Sequence, residues 1–211
     1  MRRHLIIGGG AALLYLLFLL WYGPIPDPLT EAEVEAFIAM RNAQEITPEE
    51  ASRTEDLRQF LLEDDGRGFF MVNLVTLRDV PLQLDGFDPD ASAGDLMAQY
   101  FQGYMARQFL SRAGWLVVQG PSYAGPVELW NAEERQWAFF AVVRYRSRRD
   151  LMEIVADPRF SEAHPYKFAA VEATSAFPAA PGLVIGPRLV VLLIILVMAL
   201  LADKVWPKRM A

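Results

Sequence analysis

An uncharged apolar run near the N-terminus constrains this chain more than any other feature. It extends from Leu5 to Tyr22, over 18 residues, about the length that spans roughly 30 Å of hydrocarbon at 1.5 Å per residue. Trp21 and Tyr22 close the run, and both residue types are typical of the membrane–water interface. A cleaved signal peptide is the alternative, but its apolar core usually has only about 7 to 15 residues. We therefore predict an uncleaved transmembrane anchor over residues 1–22.

A second apolar run lies at residues 189–202 and contains no charged residue. With the residues on either side it becomes long enough to cross a bilayer, with Arg188 and Trp206 at the two membrane interfaces. A buried core helix is the alternative. The uniformly aliphatic composition and the basic tail favour a transmembrane helix, so residues 179–211 are predicted to hold a second span and its tail.

Charge is segregated along the chain, and this pattern predicts the topology. The formal net charge of −6 divides into +2 for residues 1–22, −11 for residues 23–182 and +3 for residues 183–211. Positive residues concentrate on the cytoplasmic side of a membrane. We expect a two-pass protein of the inner (plasma) membrane with both termini in the cytoplasm and residues 23–182 in the periplasm or outside the cell. An acidic region repels phosphates, which excludes nucleic acid as a partner.

The residue types that support most metal and nucleophile chemistry are scarce. The chain has no cysteine and two histidines, His4 and His164. Thiolate and histidine-rich metal sites, disulfides and a cysteine nucleophile are thereby excluded. The sequence also contains no phosphate-binding loop, hydrolase elbow, zinc signature or dinucleotide fingerprint. We predict no metal site and assign no catalytic residue.

A spacer with three prolines follows the first span and leads into two predicted helices. Thr30 and Glu33 have capping-box spacing and open a helix through about Arg41. Thr47 caps a second helix that runs to about Leu62. The surface of this helical pair is rich in acidic residues, which is typical of a solvated helix face and less often of an acidic docking face.

The next part of the chain alternates between strand and helix signals. The predicted order is strand, helix, strand, strand, helix, strand, which is the ferredoxin-like βαββαβ pattern of an α+β fold. Apolar residues occupy both faces of the strongest strands, so the sheet needs two covers, with helices on one face and a second copy's sheet on the other. The predicted strands are 69–77, 115–119, 136–145 and 171–177, and the helices are 93–112, 148–156 and a turn at 165–170. The apolar residues of the helix at 93–112, Leu110 among them, fall close to a single face, which we expect to pack in the core.

This region contains four short motifs, MVNLVTLRD (71–79), AGWLVVQG (113–120), VVRYRSRRDLMEIVADPRF (142–160) and KFAAVEATSAF (167–177), with Tyr100 and Tyr104 between the first two. Together they resemble a bacterial domain family of unknown function within the dimeric α/β-barrel superfamily. The similarity covers about residues 68–178, between a spacer-and-helix region at 23–67 and the C-terminal span. It implies a ferredoxin-like protomer whose sheet packs face to face against that of a second copy. The wider superfamily includes haem-degrading monooxygenases, isomerases and small-molecule sensors.

Five polar residues are candidates for a ligand site between sheet and helices: Asn73, Tyr100, Tyr104, Arg144 and His164. An asparagine in an apolar strand needs a hydrogen-bond partner, which we expect to be a loop backbone before a ligand. The two tyrosines share a helix face and are more often core than catalytic. His164 could ligate haem or act as a general base, although a histidine on an exposed loop more often has neither role.

Arg144, Arg146, Arg148 and Arg149 form the densest basic cluster in the chain. Acidic residues of the helical pair or a small anionic ligand could balance them, and we favour the helical pair. Ser147, between these arginines, is a suitable cap for the helix that follows.

The sequence therefore favours a non-catalytic, membrane-anchored interaction or structural protein, such as an accessory subunit of a larger membrane complex. Its expected partners are the lipid bilayer and either a second copy, through the sheet face at Phe139 or Phe140, or other membrane subunits. No cofactor is expected. The alternatives are a small-molecule or haem-binding domain, and a monooxygenase-like or isomerase-like enzyme of the barrel superfamily.

Overall fold

A computed structural model describes residues 2–24, 26–43, 51–123, 125–130, 135–182 and 186–205. The chain divides into two compact units, Met1–Pro24 with Gly182–Ala211, and Ile25–Pro181. In chain order the elements are α1 (Arg2–Tyr22), α2 (Glu31–Asn42), α3 (Thr54–Leu62), β1 (Phe69–Leu77), α4 (Ala93–Tyr100), a π-helical turn (Phe101–Met105), α5 (Ala106–Ser111), β2 (Trp115–Pro121), β3 (Phe139–Tyr145), α6 (Arg148–Ala156), α7 (Pro158–Ala170), β4 (Val171–Ala179) and α8 (Pro187–Val205).

The first unit consists of α1 and α8, which lie side by side in opposite directions. Arg3 near the start of α1 bonds Asp203 near the end of α8, with 2.6 Å between Nε and Oδ1. At the other end, Arg188 Nη2 donates to the Gly23 carbonyl at 2.8 Å. Within the described residues, one helix is long and apolar enough to cross a membrane by length and composition, and it is α1.

Within the second unit, the helical pair (α2 and α3) forms a small core with α6. The predicted capping box is confirmed, since Thr30 N donates to Glu33 Oε2 at 2.8 Å and Glu33 N donates to Thr30 Oγ1 at 3.3 Å. The predicted cap at Thr47 lies outside the described residues, and α3 ends at Leu62 as expected. Apolar side chains of α2 and α3 pack with those of α6, namely Val34, Phe37, Ile38 and Leu61 with Met152 and Val155.

Four antiparallel strands form one sheet in the order β2-β3-β1-β4. The two central strands, β1 and β3, are the strands whose apolar pattern is strongest in the sequence. Their register places Phe69 opposite Tyr145 and Asn73 opposite Ala141. The fold is therefore α+β, with an antiparallel sheet and several helices.

Successive side chains of a strand point to opposite sides, so the sheet has two faces. One face packs against the helices, where Phe69, Val143 and Tyr145 join a core with Phe109 and Ile154. We call the other the open sheet face, because its residues belong to none of the three buried clusters of the described chain. The open sheet face carries Phe70, Val72, Leu74, Phe140, Val142 and Phe177, flanked by Trp115, Val118 and Arg144.

The helix predicted over residues 93–112 is interrupted by the π-helical turn, and this corrects one predicted core residue. In an uninterrupted α-helix, at about 100° per residue, Leu110 would lie within about 40° of Leu96 and Phe109 would point away. The turn adds one residue and so rotates everything after it by about 100°. Phe109 is consequently buried, whereas Leu110 is 64% exposed.

Helix α7 is longer than the turn predicted at 165–170, because it begins at Pro158. Asp157 caps it by accepting from Arg159 N at 2.9 Å, and proline is well suited to the first helical position. Pro165 lies inside the helix rather than at its start. His164 is therefore a helical residue, which corrects the expectation that it lies on an exposed loop.

Candidate functional site

The five candidate residues do not converge on one site. Asn73 Nδ2 donates to two strand carbonyls, Met71 O at 3.1 Å and Ala141 O at 3.2 Å. Its amide thus ties β1 to β3, where a loop backbone was the expected partner. Arg144 lies on the open sheet face, with its guanidinium 4.8 Å from the centre of the Trp115 ring.

The two tyrosines belong to the core, as their shared helix face indicates. Tyr104 is 5% exposed and its hydroxyl donates to the Ile154 carbonyl at 2.8 Å. Burial raises the pKa of Tyr104 to about 12, and burial also raises the pKa of Tyr100. Both hydroxyls are therefore protonated near neutral pH, and the Tyr104 hydroxyl links the π-helical turn to α6.

A groove of about 680 Å³ lies between the π-helical turn and α7. Tyr104 and Arg159 are among its lining residues. Arg159 is already paired with the Asp157 cap at 2.6 Å, and this hydrogen-bonded pairing lowers the pKa of Asp157 to about 2. The Arg159 side chain thus helps to hold the start of α7.

A larger groove of about 1090 Å³ follows the free edge of β4. We call it the β4-edge groove. His164 and Lys167 of α7 line one side, where the His164 ring stacks on Phe160 with 5.1 Å between centroids. Its basic lining residues are Arg41, Arg53, Arg78, Arg135 and Lys167, and Glu172 is the acidic one among the described residues that line it.

Sequence reasoning missed the β4-edge groove, because its basic residues come from five separate segments. Arg78 follows β1 and Arg135 precedes β3, while Arg41 and Arg53 flank the helical pair's connection. One local signal was present, a charged residue directly after the apolar run that forms β1. That signal by itself does not distinguish a groove residue from a solvated strand end.

The arginine cluster at 144–149 is largely structural, and the preference for helical-pair partners is confirmed for Arg149. Arg149 Nη2 donates to Glu33 Oε2 at 3.0 Å and to the Pro28 carbonyl at 3.1 Å. The hydrogen bond from Arg149, with the Thr30 cap, lowers the pKa of Glu33 to about 2. Arg148 stacks on the Phe60 ring of α3 at 4.5 Å.

This chain is similar to solved structures, whereas no family model and no curated protein matches it. A protein of unknown function from Rhodopseudomonas palustris, a structural genomics target, is 24% identical, with a TM-score of 0.51 over 68% of this chain and 97% of that one. The crystal structure of the methylated form gives the same identity and TM-score over 68% and 95%. At this identity the likeness concerns the fold alone.

Proposed function

We propose that this chain is a two-pass membrane protein whose ferredoxin-like domain forms homodimers through the open sheet face and serves as a non-catalytic subunit of a larger membrane complex. The apolar character of the open sheet face is the observation that carries this proposal. A sheet with apolar side chains on both faces gains stability when both are covered, and the helices cover only one.

The strand order supports the ferredoxin-like assignment. From edge to edge it is β4-β1-β3-β2, with every neighbouring pair antiparallel. Helices connect β1 to β2 and β3 to β4, and they pack on the same face. Two such sheets placed face to face would form the dimeric α/β barrel that the motifs resemble.

The geometry of the first unit supports two spans rather than one. Helix α8 has 19 residues, so it is about 28 Å long at 1.5 Å per residue. Its charged residues lie near its ends, and two of them are paired with α1, Asp203 with Arg3 and Arg188 with the Gly23 carbonyl. Pairing reduces the cost of charge near hydrocarbon. The Arg3–Asp203 pair joins the start of α1 to the end of α8, and this supports the assignment of both helix ends to the cytoplasmic side by the positive-inside rule.

The contacts of the candidate polar residues are structural, and this supports a role as a non-catalytic subunit. Asn73 and Tyr104 use their side chains to tie structural elements together, and Arg149 ties the domain to its helical pair. These contacts stabilise a rigid external domain and leave its open sheet face for association.

A charge placed on the open sheet face tests the dimer. Of the two phenylalanines considered, Phe140 lies opposite Leu74 on the open sheet face, whereas Phe139 is opposite the buried Val75. In Phe140→Asp the unpaired carboxylate would be desolvated at the interface, which costs several kcal/mol. Light scattering or native mass spectrometry in mild detergent should show the mass per particle fall by half.

Val80→Asp is the matched control, because Val80 is an exposed loop residue, 75% accessible, and the substitution makes the same change of charge. It should leave the mass unchanged. An unchanged mass for Phe140→Asp, with far-UV circular dichroism like that of the wild type, would refute the dimer. Recovery of the chain alone and monomeric from native membranes would refute the subunit role.

A further inference from the structure

Arg78 has a side chain that makes no hydrogen bond or ion pair in the part of the chain that the structure describes. It follows β1 directly, and its backbone N–H bonds the Ala170 carbonyl at 2.9 Å. Its Nε is buried, and its guanidinium makes no ion pair or hydrogen bond among the described residues. A buried charged donor without a partner is destabilising. Such a group persists most readily where a ligand completes it.

The surroundings of Arg78 are suited to an anion. It lines the β4-edge groove together with Arg135, whose guanidinium lies 5.6 Å from the centre of the Trp137 ring. Residues 23–182 contain 25 acidic and 14 basic side chains, yet five basic residues and one acidic residue line this groove in the described part of the chain. The local charge is thus opposite to that of the region as a whole.

The groove also offers apolar surface next to these arginines. Trp137, which precedes β3, and Phe168 of α7, which is 42% exposed, both line the groove. The groove volume of about 1090 Å³ lies just above the range of about 300–1,000 Å³ that is usual for small-molecule sites. A small inorganic ion would leave most of this volume and the aromatic surface uncontacted.

We propose that the β4-edge groove binds an organic anion, with a phosphate or carboxylate head on the Arg78 guanidinium and an apolar body against Trp137 and Phe168. Arginine presents several donors in a plane and binds such heads with two parallel hydrogen bonds. The same chemistry is offered by a soluble metabolite and by the head group of an anionic lipid. This proposal rests on the Arg78 guanidinium and the other rests on the apolar side chains of the open sheet face, so the two proposals can fail separately.

The test uses the full chain in a neutral detergent and phenyl phosphate as the probe, followed by isothermal titration calorimetry and thermal melting. Phenyl phosphate should bind saturably and raise the melting temperature, and inorganic phosphate should bind more weakly because it lacks the apolar body. Arg78→Gln should weaken binding about ten- to hundredfold, the loss expected for hydrogen bonds to a charged group. Arg67→Gln, at an arginine 85% exposed, makes the same charge change and should bind like the wild type.

The unliganded variants provide a second readout. Replacement of an arginine that has a structural role lowers the melting temperature. Replacement of Arg78, whose Nε has no hydrogen-bond partner among the described residues, should leave the melting temperature unchanged or raise it. Absence of phenyl phosphate binding, or equal binding by Arg78→Gln and the wild type, would overturn the proposal. So would a lower melting temperature of unliganded Arg78→Gln.

Nanodiscs distinguish the two sources of the anion. With phosphatidylcholine as host lipid, the groove should bind phenyl phosphate as in detergent. With phosphatidylglycerol as host, a loss of probe binding that is restored by dilution with phosphatidylcholine supports a lipid head group as the occupant. Unchanged probe binding supports a soluble anion.

Discussion

Removal of one partner from the buried ion pair between Arg146 and Asp150 is expected to cost more stability than the same change in an exposed pair. Arg146 Nε and Nη2 donate to the two carboxylate oxygens of Asp150 at 2.9 and 2.8 Å. The side chains are 14% and 3% exposed, so both charges are largely withdrawn from water. Asp150 also donates its backbone N–H to the Ser147 cap at 3.0 Å, which places the pair at the start of α6.

Asp150→Asn keeps the shape of the side chain but removes its charge. The buried Arg146 guanidinium then loses the Asp150 carboxylate, and removal of one partner of a buried pair costs about 3 to 5 kcal/mol. For a chain of this size a loss of 1 kcal/mol lowers the melting temperature by about 2 to 4 °C. We expect a decrease of about 6 to 20 °C, measured by circular dichroism in mild detergent.

Arg53 and Asp56 form the matched control, since they are the same residue types with 3.0 Å between Nη1 and Oδ2 but are 79% and 70% exposed. Asp56→Asn should cost less than about 1 kcal/mol, the usual limit for exposed pairs. The double variant Arg146→Met with Asp150→Leu should recover much of the loss. Equal effects of Asp150→Asn and Asp56→Asn would refute the reasoning, because burial is what distinguishes the two pairs.

Two further predictions concern the helical pair and the entry to β1. Because the folded pKa of Glu33 lies at about 2, below its ordinary value of 4.5, its stabilisation is present above the ordinary value and is lost as pH falls toward the folded one. The difference in melting temperature between wild type and Glu33→Gln should therefore be constant above about pH 5 and shrink toward pH 2; a difference that stays constant throughout would contradict this. Gly68→Ala should destabilise the domain by about 1 to 3 kcal/mol, since the added Cβ would lie 2.8 Å from the Tyr145 carbonyl oxygen. Gly103→Ala, whose Cβ meets nothing within 4 Å, is the control, and equal melting temperatures for the two variants would contradict the prediction.

Local signals account for most of what the sequence predicted about the fold. The capping box at Thr30, the strand at Phe69–Leu77 and the helix at Arg148–Ala156 depend on residues within a few positions of one another, and all three are confirmed. The prediction for Leu110 was wrong because the π-helical turn has no strong sequence signal and shifts every residue after it around the helix. The prediction of a loop position for His164 was wrong because Pro165 was interpreted as the start of a helical turn, whereas it lies inside α7.

The candidate site was predicted less well, because a site depends on which distant residues meet. Asn73 was expected to need a hydrogen-bond partner and Tyr104 to lie in the core, but the sequence could not identify a strand carbonyl or the Ile154 carbonyl as their partners. The unpartnered state of Arg78 is also invisible in sequence, since it depends on what does not approach its guanidinium among the described residues.

By itself, the sequence determined the segregation of charge, the apolar runs at residues 5–22 and 189–202 and the alternation of strand and helix signals, because these are properties of neighbouring residues. Only the tertiary structure decided that Phe140 lies on the open sheet face, that Arg149 bonds the helical pair and that Arg78 lines the β4-edge groove. Strand register and helix packing bring these residues to their positions, and both depend on contacts between residues far apart in the chain.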